Sequence, residues 1–450
     1  MNPSARPGAP DETRALFDAV SGWTGSRPYA VIELPAPLGV TEALLEALPD
    51  EDAIFLAPRD EAVVVGLGVA VAATSQGPER LADVQRRADT FTKAYDRVAL
   101  EGADAGPVQF LGGFAFEPEP AHGDWARFGS ARFVVPRWTY RRAGDVASLR
   151  LVLLAAEAPR MAGRVVAEYA SILAALRRGV LAPPVGTTHV ARSDAERYVR
   201  AVGEAVDRIH AREVDKVVLA RETVVEADTP FSPARILAAL AKPSPALVFA
   251  VRTSGKTFLG ASPERLVRVH GRQATTEALA GTAASKDELA STKNLDEHQH
   301  VVRWIRDRLE PLSEAVVAPD RPQTRTLPHV VHLVTPVESR LLAPMHVLRV
   351  ADALYPTSAI GGAPLGVALR TIRAAEQRPR GWYAGAVGAF DTEGTGELFV
   401  ALRSALVEGR RARVFVGAGI VSDSEPAAEL AETIAKEQTM LDALRTDEAS

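Results

Sequence analysis

A chain of 450 residues with 47% hydrophobic and 24% charged residues can bury a large core, as one large unit or as two or three domains. Its net charge of -5 excludes a general attraction to nucleic acid or to an anionic membrane, so any anion site must be built locally. The absence of cysteine excludes disulfides, thiolate zinc sites and a cysteine nucleophile, and it fits a reducing cytoplasm.

The opening MNPSARPGAPDE has no apolar signal core and reads as a disordered tail over residues 1–12. The longest apolar runs, such as 62–74, are too short to cross a bilayer. Residues 13–185 then read as mixed scaffold. Strand patterns fall at 29–34, 53–56, 62–70, 108–116 and 148–155, and helix patterns at 77–100 and 161–176. The Pro/Gly connector at 182–188 marks a boundary, and a second portion covers 190–446.

There Ser193 and Glu196 have the spacing of a capping box for a helix reaching about Arg212. Strand patterns follow at 216–226, 246–252, 258–260 and 266–269, and a helix at 286–312. A strand near 330–334 and a helix near 365–375 come next. The last elements are strands at 384–390, 397–407 and 411–416 and a helix at 427–445. Short hairpin-like links such as Asp391–Glu397 favour α+β with antiparallel sheets over a doubly wound parallel sheet.

Several segments in this second portion can carry chemistry. Lys216 opens an apolar strand, where a lysine either snorkels to water at a strand edge or sits desolvated as a possible base. Glu264 follows a strand at a proline turn, as a buried general acid or a plain helix-start charge. The small-residue stretch Glu277–Thr282 reads as a turn with free amides for a carboxylate. Glu297 lies in a charged helix start; His298 and His300, two apart, do not form a zinc-type pair.

Arg403 in an apolar strand is costly unless it meets an anion, which makes it the best single anion contact. Near the C-terminus an apolar run ends in Gly417-Ala418-Gly419, where a ligand can approach backbone amides. The next helix carries Glu429, Glu432 and Lys436 on one face, with spacings of three and four. Those carboxylates suit a hard cation, or Glu432 and Lys436 form an ordinary surface ion pair.

These segments, in this order over about 193–440, resemble the chorismate-utilising enzymes, and Phe110–Phe116 is similar as well. The resemblance implies one large α+β unit of two packed antiparallel β-sheets with helices outside. It implies that chorismate binds with magnesium held by Glu297 and Glu432, with Glu429 in support. Amides near Gly281 and Thr282 would hold the ring carboxylate. Tyr383, Arg403 and the amides of Gly417 and Gly419 would hold the enolpyruvyl carboxylate, with Lys436 adding charge and His332 near the ring hydroxyl.

Lys216 matches the lysine that activates water in isochorismate and salicylate synthases, and Glu264 the acid that protonates the departing hydroxyl. Ala280 sits where aminodeoxychorismate synthases carry a nucleophilic lysine, so it leaves room for water and offers no amine. Ala359 sits where pyruvate-eliminating members tend to carry threonine. The expectation is an isochorismate synthase, with salicylate synthase as the alternative. It is expected to be a cytoplasmic monomer without a glutamine amidotransferase, a nucleic-acid partner or a membrane contact.

Overall fold

The computed structural model describes residues 10–100, 103, 106–178, 187–192, 194–242, 246–283, 292–327 and 330–445. Two central strands show how the sequence builds the fold. Ala53–Pro58 and Leu247–Thr253 pair antiparallel, from Leu247 opposite Pro58 to Arg252 opposite Ala53. Both runs are apolar at nearly every position, because side chains of alternating parity enter different cores. Ile54, Leu56, Phe249 and Val251 join the larger core, and Ala53, Phe55, Val248 and Ala250 the smaller.

The larger core lies between two sheets. The first runs, in spatial order, through Tyr95–Ala99, Tyr29–Pro35, Val146–Leu154, Ala131–Ala143, Val63–Ser75, Ala53–Pro58 and Leu247–Thr253. It continues through Lys256–Ser262, Ser404–Glu408, Arg411–Ile420 and Lys216–Ala227 to Thr188–Ala191. The second leaves the long Ala131–Ala143 strand through Gln109–Phe114, Ala386–Asp391, Gly396–Val400, Arg265–His270 and Gln273–Ala283 to Val330–Leu341. All of these pairs are antiparallel except Tyr29–Pro35 with Tyr95–Ala99. The smaller core lies between the first sheet and the helices Pro10–Ser21, Ala158–Arg177, Pro233–Ala241 and Pro426–Leu444. The architecture is thus α+β, two antiparallel sheets with helices packed around them. Strands from before and after residue 185 pair directly in both sheets, Ala53–Pro58 with Leu247–Thr253 and Gln109–Phe114 with Ala386–Asp391.

Several local expectations need correction. The helix expected over 77–100 spans only Arg80–Phe91, and Tyr95–Ala99 is an edge strand held by its parallel partner. The Pro10–Ser21 helix begins inside the expected tail. Asp194, not Ser193, is the N-cap of Ala195–His210 and makes no side-chain cap bond; Ser193 lies outside the described residues. The small-residue turn expected at Glu277–Thr282 is strand, with a bulge between Ala280 and Thr282 opposite Val330–Leu341. The apolar stretch 397–407 is two strands, Gly396–Val400 and Ser404–Glu408, broken at Ala401–Arg403.

Candidate active site

At one open end of the space between the sheets lies a cavity of about 340 Å³. The first sheet contributes Lys216, Val218 and Phe415–Gly419, the second Leu279, Ala280 and His332, and the link from Lys256–Ser262 to Arg265–His270 contributes Glu264. The Pro426–Leu444 helix adds Glu429, Glu432 and Lys436, and the connecting turns add Ala359, Tyr383 and Arg403. Eleven expected residues thus meet in one place: Lys216, Glu264, His332, Ala359, Tyr383, Arg403, Gly417, Gly419, Glu429, Glu432 and Lys436. Of the others, Gly281 and Thr282 are strand residues beside Ala280, Thr282 standing opposite His332. Glu297 lies on the helix Thr292–Leu309. The side chains of Thr282 and Glu297 lie outside the described residues.

Glu264 is 4% exposed. Burial raises its carboxyl from the ordinary 4.5 to about 8, and the nearby Glu277 carboxylate adds to the rise, against the pull of Arg325 and Lys216. It is therefore a neutral acid at pH 7, able to give up a proton. Lys216 lines the same cavity, 6% exposed, at the first residue of Lys216–Ala227, close enough for its charge to act on Glu264.

Arg403 sits at the break between strands with φ 49°, a left-handed backbone that an arginine adopts only where surrounding structure enforces it. The enforcement is visible: Ala401 donates its N–H to Gly385 O (2.8 Å), Ala384 donates to Ala401 O (3.0 Å), and Ala261 donates to Arg403 O (3.1 Å). Among the described residues its guanidinium makes no hydrogen bond or ion pair. Burial lowers its pKa to about 10, with Tyr383 and Glu432 opposing the fall. A partly buried cation with no hydrogen-bonded partner on a cavity wall is a site for an anion. Tyr383 lies beside it, its hydroxyl pushed up to about 12 by burial, so it stays a neutral hydrogen-bond donor.

Gly417 and Gly419, expected just at the end of an apolar run, lie inside the strand Arg411–Ile420, opposite Ala220 and Val218. Ala220 sends its N–H to Glu376 (2.9 Å) and Val218 to Gly361 O (3.2 Å), both away from this strand. These are therefore the non-hydrogen-bonded pairs of the ladder, and the glycine amides point to the opposite edge. Pairing with Ser404–Glu408 stops at Phe415, which leaves that edge open to the cavity. A Cβ on Gly417 would come within 3.0 Å of the Tyr383 hydroxyl and 2.8 Å of Leu219 O, so glycine is what lets the phenol approach.

The Pro426–Leu444 helix is locked in register by buried polar groups. Arg221 pairs with Glu437 (2.8 Å) and donates to Thr433 Oγ1 (2.7 Å), and Thr223 donates to Glu437 (2.6 Å). This directs Glu429, Glu432 and Lys436 at the cavity. Lys436 Nζ is 2.5 Å from Glu432 and donates to Gly417 O (3.3 Å), while Glu429 accepts from Ser424 Oγ (2.6 Å). Glu429 and Glu432 provide hard oxygen donors on one wall, a set that suits a magnesium ion. The described residues contain no cluster of three such donors, the side chain of Glu297 being outside them. His298, next to Glu297, ties that helix to the cavity wall: Nδ1 lies 3.2 Å from Ala280 O and Nε2 2.7 Å from Thr335 Oγ1.

Sequence reasoning missed Arg380. It pairs with Glu376 and donates to Ile360 O (3.0 Å) and Val218 O (2.6 Å), joining the Lys216 strand to the turn that carries Ala359. Its sequence surroundings, Gln377-Arg378-Pro379-Arg380-Gly381, are polar and turn-like and give no signal of burial.

The chorismate binding enzyme family matches residues 31–445 of this sequence. The chain is 38% identical over 378 residues to the salicylate biosynthesis isochorismate synthase of Pseudomonas aeruginosa, covering 79% of each. It is 33% identical over 422 residues to the isochorismate synthase MenF of Bacillus subtilis, covering 86% of each. Among solved structures, the menaquinone-specific isochorismate synthase MenF of Escherichia coli aligns with a TM-score of 0.79 at 26% identity, over 96% of this chain and 100% of that one. The chain belongs to the chorismate binding enzymes.

Proposed function

We propose that the protein is an isochorismate synthase, an isomerase that adds water at ring carbon 2 of chorismate while the hydroxyl leaves carbon 4 and the double bonds shift. The observation that carries this reading is the meeting in one cavity of Lys216, at the start of a first-sheet strand, and Glu264, in the link between the two sheets, one a candidate base and the other an acid kept protonated by burial. Lys216 takes a proton from the attacking water, and Glu264 gives one to the departing hydroxyl, so one water enters and one leaves. Arg403, Tyr383 and the Gly417 and Gly419 amides hold the enolpyruvyl carboxylate. The amides near Gly281 and Thr282 receive the ring carboxylate, with His332 at the ring hydroxyl. Two separate clamps orient the ring before reaction.

Glu432 and Glu297, with Glu429, would hold magnesium, which when bound supplies positive charge for the ring carboxylate. Because water is the attacking group, the enzyme needs no glutamine amidotransferase; we place it in the cytoplasm as a monomer. Ala280 offers no amine, and Ala359 gives the small wall expected of an enzyme that stops at isomerisation.

Chromatography of the products formed from chorismate tests the reading. Isochorismate alone, formed with magnesium and not with chelator, is the expected result. Salicylate with pyruvate would establish the salicylate synthase alternative, and no turnover would overturn both. A second expectation concerns pH. Glu264 loses its proton above about pH 8, so turnover declines on the alkaline side with a limb near that value, tenfold per unit beyond it. A profile flat to pH 10 would remove Glu264 from the role of acid.

A further inference from the structure

Glu264 is fixed by two residues that do not line the cavity. Arg325, on the strand Gln323–Leu327, makes a two-pronged pair with Glu277: Nη1 to Oε1 and Nη2 to Oε2, both 2.7 Å. The same Nη1 donates to Pro263 O (2.9 Å), the carbonyl just before Glu264. The same Glu277 Oε1 accepts the N–H of Arg265 (3.3 Å), the amide just after it. One ion pair therefore grips the peptide groups on both sides of the acid. Glu264 itself donates its N–H to Ser262 Oγ (3.2 Å), and its carbonyl accepts from Val400 N–H (3.1 Å). Every polar backbone group from Pro263 O to Arg265 N is held.

We propose that Glu277 and Arg325 are positioning residues for the acid, clamping the flanking peptides so that the Glu264 carboxyl meets the departing hydroxyl, with one charge of each sign held beside it. The inference rests on the reading of Glu264 as the acid. The forked geometry suits aim, since two parallel bonds fix direction as well as distance. A pair this deep, with Glu277 11% and Arg325 24% exposed, is a costly way to gain stability alone. The charged groups that face Glu264 are Glu277 from Gln273–Ala283, Arg325 from Gln323–Leu327 and Lys216 from Lys216–Ala227. His332 stands opposite Arg325 on the intervening strand, and the Arg265 side chain is turned to Glu397.

The two charges make opposite predictions. Glu277→Gln keeps the shape but leaves Arg325 uncompensated, so the alkaline limb of kcat moves to lower pH. Arg325→Met leaves the Glu277 carboxylate uncompensated, so the limb moves to higher pH. Each displacement is expected to be roughly half a unit or more. Arg325→Lys retains the charge and loses the fork, so its limb stays in place while kcat falls by about tenfold through lost aim. KM for chorismate stays within about twofold in all three, because neither residue reaches the substrate. A merely structural pair would not move the two limbs in opposite directions. Limbs that stay put or move together in Glu277→Gln and Arg325→Met overturn the inference, and for a poorly folding Arg325→Met an unmoved limb in Glu277→Gln does so alone. Glu264→Gln separates the two levels: if it keeps turnover and the limb, the acid reading itself fails, whereas a dead Glu264→Gln beside unmoved limbs refutes only the clamp.

Discussion

Glu264→Gln is expected to lower kcat by about 10²–10⁴-fold, the usual contribution of a positioned acid, with little change in KM for chorismate. The amide has nearly the volume of the acid and keeps the backbone bonds to Ser262 and Val400, but it has no proton to deliver. Stability should move the other way. The carboxyl ionises near 4.5 in the unfolded chain and near 8 in the folded one. Between those values the folded state binds more protons, so wild-type stability falls as pH rises through the window. Above about pH 8 the folded protein bears the whole cost of a buried carboxylate, roughly 4–5 kcal/mol, and below pH 4 none of it. The glutamine variant has no such term. Thermal unfolding at pH 9 should therefore find it more stable than wild type, and at pH 4 the two should converge. Wild-type turnover in this variant would end the assignment, and equal Tm at pH 9 would mean that Glu264 is not desolvated.

The parts of this site written in local pattern are those a reader of the sequence can find. The apolar run after Lys216 makes a strand because Val217, Val218 and Leu219 are all buried, and Lys216 is its first residue. Glu429, Glu432 and Lys436 share a face because the helical period puts them there. What is illegible depends on contacts distant in sequence. Nothing between Glu397 and Val407 announces a break, because it is made by hydrogen bonds from Ala401 and Ala384 across two turns. The strand Ala131–Ala143 joins the two sheets, yet Pro136 in its middle reads as a breaker. The structure absorbs that proline at a bulge between Val69 and Val71 on the facing strand. Glu277 and Arg325 are 48 residues apart, and no spacing rule connects them. The sequence thus exposes the groups that meet the substrate more readily than the residues that aim them.

Arg403→Met separates binding from stability at the other end of the cavity. If the guanidinium holds a substrate carboxylate, its loss removes charge-assisted hydrogen bonds of about 1.5–3 kcal/mol each. That is roughly a ten- to hundredfold fall in kcat/KM, expressed mainly as a higher KM because the carboxylate is bound in ground state and transition state alike. The fold, by contrast, should gain. In the free protein the half-buried guanidinium has no hydrogen-bonded partner among the described residues, and its lowered pKa reports the cost of its partial desolvation. Methionine has a similar reach and no charge to desolvate. Both side chains inherit the same left-handed backbone at φ 49°, so that strain largely cancels in the comparison. Tm should therefore rise while KM rises. An unchanged KM would show that the substrate carboxylate lies elsewhere. A fall in Tm would show that Arg403 is held by partners that stabilise it, and the physical argument for an anion at this wall would go with it.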